Sequence, residues 1–247
     1  MKKFFNEKYI KNFDYIFISG SLINLEIFET NKLHLFLKKW INFYLLKKKT
    51  IIIPAFTMDK ESYNNFNKFL KPKKMGYLPN FIMNNFAFER SDHPLASFIS
   101  LGKNSKKIIK NVPSYAYGYD SIFERLMNEK TLFLSLGNIN ENFSPIHYCE
   151  TLCGVPYRYI KEFEISKKIF SLNVIYKSRK IIRDNNKKIF SNINKQVIKK
   201  LFAKKNIYYA NYHQLIKSVC TVLSKRPRIW MKKELKQKDY KNNEKFR

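Results

Sequence analysis

Asp14-Tyr-Ile-Phe-Ile-Ser-Gly-Ser-Leu22 runs from one acidic residue through four large apolar ones into a turn of small residues. A short run that is apolar throughout, closed by Ser-Gly-Ser, reads as a buried strand with a tight exit. Downstream, Asn31–Leu46 places apolar residues at Leu33, Leu35, Phe36, Leu37, Trp40, Ile41, Phe43, Tyr44 and Leu45, which predicts a helix ending near Lys47-Lys48-Lys49. Thr50-Ile-Ile-Ile-Pro54 is a second buried strand, with Pro54 marking its end. Strand, helix and strand in this order open an α/β layered fold.

The pattern continues outward from that core. Met58–Lys74 is rich in Asn and Lys and reads as a long loop with one helical turn. Helices are predicted at Pro79–Phe86, Ser105–Lys110, Ser121–Asn128, His147–Leu152, Lys195–Lys204 and Gln214–Leu223. Strands are predicted at Leu95–Leu101, Thr131–Leu136, and around Phe163 and Val174. Residues 1–247 read as one domain, with a core over 14–224 and a basic tail over 225–247 that holds ten basic and three acidic side chains.

The chain has 48 Lys and Arg against 19 Asp and Glu, a net charge of +29. Such a charge suits nucleic acid, an anionic surface or a phosphorylated ligand. The lysines are dispersed, however, and no nucleic-acid motif accompanies them, so no specific nucleic-acid partner is expected. No apolar run approaches the roughly 20 residues of a membrane helix, and the N-terminus lacks a signal peptide's apolar region. A cytoplasmic location is the expectation. Three cysteines, Cys149, Cys153 and Cys220, do not make a disulfide scaffold.

Among four histidines, His147 stands out. It follows the loop Asn138–Pro145 that leaves the buried strand Thr131–Leu136, and loops at strand carboxyl ends are where α/β folds build sites. Glu150 lies three residues on, so a helix puts the two on one face; a carboxylate there can orient an imidazole that acts as general base. His93 lies in Arg90-Ser91-Asp92-His93-Pro94-Leu95-Ala96-Ser97-Phe98, which reads either as a site or as a turn held by side-chain-to-backbone bonds. His147 with Cys149 and Cys153 lacks zinc spacing, and no metal is expected. The six glycines form no phosphate-binding loop. No nucleophile elbow supports a Ser or Cys hydrolase.

Several segments fall in a telling order: Gly20-Ser21-Leu22, Ile53-Pro54-Ala55-Phe56-Thr57, Met75-Gly76-Tyr77-Leu78, Arg90 to Phe98, Asp120-Ser121-Ile122, Leu134-Ser135-Leu136-Gly137, and Ser144-Pro145-Ile146-His147-Tyr148-Cys149-Glu150. Together they resemble the aminoglycoside N(3)-acetyltransferase family over about residues 14–160, and Tyr157-Arg158 fits the family's usual continuation. The resemblance implies a three-layer α/β/α sandwich with a mixed central sheet. It also implies transfer of an acyl group from acetyl-CoA, or another acyl-CoA, to an amine of a sugar-like acceptor. By that resemblance His147 is the catalytic base, with Glu150 or Asp92 as its carboxylate partner. The same resemblance implies that Ser19, Ser21, Leu22, Arg90, Ser91, Ser97, Phe98 and Ser121 line the coenzyme A region and that His93, Phe56 and Thr57 meet the acceptor. The sequence departs from the family at Ser19-Gly20-Ser21, Asp120-Ser121-Ile122 and Ser144-Pro145.

Aminoglycoside drugs are polycations, which a field of this sign repels within about a Debye length, roughly 8 Å at physiological salt. The expected acceptor is therefore neutral or anionic, such as a nucleotide-linked amino sugar. The alternatives are a drug-modifying acetyltransferase, a family member that binds coenzyme A without turnover, and a non-catalytic binder of anionic ligands. Homodimerisation is left open.

Overall fold

The computed structural model describes residues 2–27, 29–73, 75–137, 139, 143–175, 190–194, 196–202 and 206–229. Seven of its strands are β1 (Tyr15–Gly20), β2 (Thr50–Pro54), β3 (Glu89–Arg90), β4 (Phe98–Leu101), β5 (Thr131–Leu136), β8 (Lys199–Lys200) and β9 (Ile207–Asn211). They form a central mixed sheet ordered β3-β4-β2-β1-β5-β9-β8. A separate antiparallel hairpin is made of β6 (Arg158–Ile165) and β7 (Lys168–Ile175). β1 runs parallel to both β2 and β5, and the outer pairings are antiparallel.

The apolar opening run is central because both of its faces are covered. Ile16 and Ile18 join one core cluster; Tyr15 and Phe17 join the other. The first cluster is completed by α1 (Thr30–Leu46), through Phe36, Leu37, Trp40, Ile41 and Tyr44, and by α3 (Tyr77–Asn85), through Leu78, Phe81 and Ile82. The second takes α4 (Ser105–Ile109), α5 (Ile122–Met127), α6 (Ile146–Leu152) and α7 (Tyr212–Lys225). A helix layer on each sheet face makes the three-layer sandwich that the family resemblance implies. A short helix, α2 (Lys60–Asn64), is the helical turn anticipated in the polar loop.

Two local expectations change. The spacing over Lys195–Lys204 predicts a helix, but the described part turns at Asn194, whose carbonyl takes the amide of Val197, and then forms β8. Lys199 and Lys200 pair with Tyr209 and Tyr208 of β9, so the open edge of the sheet overrides the helical spacing. Residues 195 and 203–205 lie outside the described part. The strand expected from Leu95 begins only at Phe98, because Pro94 and the ring of His93 hold the residues before it in a turn. β9 itself has no counterpart in the sequence reading. The basic tail beyond residue 229 lies outside the described residues. Among the described residues no helix is long and apolar enough to cross a membrane.

Candidate active site

The two central parallel strands, β1 and β5, leave the sheet side by side, with Gly20 registered opposite Leu136. From β1 the chain departs through α1 to β2 on one side; β5 lies on the other. This is where an open α/β sheet switches direction and leaves a crevice beyond its strand ends. Gly137 (φ 113°) turns the chain out of β5. It returns through the buried Phe143 to Ser144, whose hydroxyl stands 3.4 Å from that of Ser19 at the end of β1. Pro145 then caps α6. His147 is thus fixed in the first turn of a helix that starts over the ends of the two central strands.

Ile146, Tyr148 and Cys149 anchor α6 in the core. His147 keeps 27% of its side chain exposed, whereas Glu150, one turn later, is wholly buried. A buried carboxylate requires partners, and Glu150 has them. Tyr157 donates its hydroxyl to Oε1 at 2.9 Å, and Arg158 at the start of β6 donates Nε to Oε2 at 2.5 Å and forms an ion pair through Nη2. The same Nη2 lies 2.6 Å from Nδ1 of His147, while Oε2 of Glu150 is 4.0 Å from that nitrogen. Nη1 of Arg158 donates to the Asn173 carbonyl, the Asn173 amide donates to the Thr151 hydroxyl, and that hydroxyl donates to the His147 carbonyl. A closed circuit of hydrogen bonds therefore ties β6 and β7 to the first turn of α6. Tyr117 lays its ring 5.2 Å from the imidazole.

Of the two carboxylates considered for His147, the structure brings Glu150 to it. Asp92 is exposed and pairs with Lys68 at 3.7 Å. His93 is 3% exposed, and both ring nitrogens are engaged. Nε2 must donate to the Ser114 carbonyl at 3.0 Å, so Nδ1 accepts from the amides of Leu95 and Ala96. Burial lowers its pKa to about 4. Neutral and fully bonded, His93 holds the turn and leaves no ring nitrogen for an acceptor.

Most residues expected around coenzyme A, and Thr57 and Phe56 expected around the acceptor, are likewise engaged within the fold. Arg90 is buried and donates to Ser97 Oγ and to the carbonyls of Ala55 and Leu70, with Phe66 under its guanidinium. Burial lowers its pKa to about 10. Ser91 accepts from the Phe98 amide, Ser97 donates to the Ala55 carbonyl, and Thr57 donates to the Pro94 carbonyl. Ser121 caps α5, and the rings of Phe56 and Phe98 pack edge to face in the core. Ser19, Ser21 and Leu22 are different, because they sit at the end of β1, where Ser144 leads into His147. Ser21 is exposed and caps the turn Leu22–Leu25. Tyr117 and Asn173 have no place in the sequence reading, and Tyr157 and Arg158 enter it only as part of the family pattern. Arg158 is eight residues from Glu150 across a turn and in a different element, a spacing that no helical or strand period marks.

A model of the aminoglycoside 3-N-acetyltransferase family matches residues 44–227, well over half of the chain. The chain belongs to that family. It is accordingly an acyl-coenzyme A-dependent N-acyltransferase. No curated protein matches. Solved structures carry the same fold. A histidine-to-alanine mutant of AAC(3)-IVa in complex with apramycin is 16% identical, with a TM-score of 0.69, covering 92% of this chain and 93% of that one. The YokD protein from Bacillus subtilis is 15% identical at TM-score 0.67, covering 91% and 99%. AAC-IIIb in a binary complex with CoASH is 15% identical at TM-score 0.64, covering 94% and 97%.

Proposed function

We propose that this N-acyltransferase uses His147 as general base and moves an acetyl group from acetyl-coenzyme A to an amine on a neutral or anionic sugar-like acceptor. The amine nitrogen attacks the thioester carbonyl, so a C–N bond forms and the C–S bond breaks. His147 takes the proton that the amine loses and returns it to the departing thiolate. The observation that carries the reading is the partly exposed imidazole at the β1/β5 strand ends, backed by the buried Glu150–Arg158–Tyr157 array. Ser19 and Ser21, on the neighbouring strand end, are the hydroxyls best placed to meet coenzyme A; Arg90, Ser91, Ser97 and Ser121 act by shaping the walls behind it. The net charge of +29 supports an acceptor that is not a polycation.

A second reading, acetylation of an aminoglycoside, is favoured by solved relatives whose structures hold apramycin, a gentamicin and sisomicin. Thiol release from acetyl-coenzyme A against nucleotide-linked amino sugars and aminoglycosides separates the two. Acceptor-dependent release that falls by about 10²-fold or more in His147→Ala supports the base. Faster turnover of kanamycin-type drugs than of any nucleotide amino sugar replaces the first acceptor with the second. An undiminished rate in His147→Ala removes the base.

A further inference from the structure

A guanidinium has only donors. With Nη2 of Arg158 2.6 Å from Nδ1 of His147, the imidazole must present its lone pair at Nδ1 and, when neutral, carry its proton on Nε2. A histidine that is to take a proton at Nε2 needs the opposite tautomer, with Nδ1–H directed at a carboxylate. Glu150 is the carboxylate at hand, yet its Oε2 is 4.0 Å from Nδ1, beyond hydrogen-bond reach, and is occupied by Arg158.

We propose that Arg158 is the positioning residue for His147: it competes with Glu150 for Nδ1 and holds the resting ring in the Nε2–H tautomer. This inference rests on the reading of His147 as the base. Three features fix the guanidinium. Its side chain is 2% exposed, Nε is held by Glu150, and Nη1 is held by the Asn173 carbonyl at 2.5 Å. The circuit through Asn173 and Thr151 returns to the His147 backbone, so the ring and the guanidinium are held by the same network. Glu150 cannot relax toward the ring alone, because Oε1 is tied to Tyr157.

The productive arrangement is reached when Nη2 leaves Nδ1 and that nitrogen, now protonated, turns to Oε2. One proton leaves Nε2 and one arrives at Nδ1, by way of water at the partly exposed ring. The imidazole stays neutral, Glu150 stays anionic and Arg158 stays cationic. No oxidant or further reactant enters. Arg158 thereby couples the β6–β7 hairpin to the readiness of the base, because any shift of β6 that moves the guanidinium frees Nδ1.

The test is nitrogen NMR of the histidine rings in the full-length 15N-labelled protein near neutral pH, with the His147 signals assigned by their loss in His147→Gln. The expected result is a bare, pyridine-like Nδ1 and a protonated Nε2. In Arg158→Lys, which keeps a cation for Glu150 but cannot span both partners, the population should move toward Nδ1–H. A protonated Nδ1 in the wild-type protein, whether as neutral imidazole or as imidazolium, overturns the proposal. So does a folded Arg158→Lys variant with an unchanged tautomer. If that variant does not fold, the wild-type tautomer decides. Loss of the base reading is recognised separately, as acyl transfer that survives His147→Ala.

Discussion

Oε2 of Glu150 and Nδ1 of His147 stand 4.0 Å apart, one helical turn from each other on α6, and both face the guanidinium of Arg158. The two members of the anticipated pair are therefore adjacent but linked through a third residue. Helical spacing explains why they share a face. The start of β6 explains why they do not touch, since it delivers a buried cation between them.

That arrangement makes the stability of the site depend on charge balance. Glu150→Gln retains the side-chain volume but leaves Arg158 as a buried cation without its counter-ion, which costs on the order of 3–5 kcal/mol. The double variant Glu150→Leu, Arg158→Met removes both charges and should recover much of that loss. Denaturant unfolding of the single and double variants checks the ordering. A single variant as stable as the wild type would mean that the pair is solvated rather than buried.

His93 gives the protein a pH dependence of known sign. Its folded pKa is lowered from 6.5 to about 4 by burial, so the folded state binds the proton less well than the unfolded state does. The stabilising contribution is complete above the unfolded pKa, about 6.5, and is lost as the pH falls from there toward about 4. The full shift corresponds to roughly 3 kcal/mol. The melting temperature should fall between pH 7 and pH 5, and the fall should be smaller in His93→Asn, which has no titrating ring. Equal falls in the two proteins would place the acid sensitivity elsewhere.

The sheet centre and the His147–Glu150 face were legible because they rest on local rules: an apolar run with a small-residue exit, and an i,i+3 pair after a strand. β9 and β8 were not legible for the opposite reason. Ile207-Tyr-Tyr-Ala-Asn211 becomes a strand only because β5 offers an antiparallel partner, and Lys199-Lys200 only because β9 then does. The role of Arg158 was hidden likewise, since its contacts cross from β6 to α6. The Arg90–Phe98 stretch was legible as a cluster of polar types but not as an interior one. Burial reverses the meaning of its hydroxyls, from groups offered to a ligand to groups that satisfy the carbonyls and amides of a turn.

Ser97 tests that reversal. Its hydroxyl is fully buried, donating to the Ala55 carbonyl at 2.7 Å and accepting from Arg90 Nε at 3.1 Å. Ser97→Ala leaves both partners short of a bond and should cost about 1–3 kcal/mol, with the KM for acetyl-coenzyme A unchanged. A normal melting temperature with a raised KM would return Ser97 to the ligand.

Gly20 is the position where the fold and the site are joined most tightly. At φ 122° it lies outside the region that L residues adopt, and a Cβ there would collide with the Leu136 carbonyl oxygen. That oxygen also accepts the Ser21 amide at 2.9 Å, which closes the ends of β1 and β5 together. Gly20→Ala must therefore part the two strand ends, and the contact between Ser19 and Ser144 ahead of His147 parts with them. The strain of the backbone alone is about 1–3 kcal/mol, and the collision adds to it. Gly76→Ala is the control, because Gly76 also has a positive φ, 74°, but a Cβ there meets nothing within 4 Å. The expected result is a larger fall in melting temperature for Gly20→Ala than for Gly76→Ala, with loss of kcat in the former at temperatures where it remains folded. Equal melting temperatures for the two variants would show that the strand ends can yield, and that His147 does not depend on their closure.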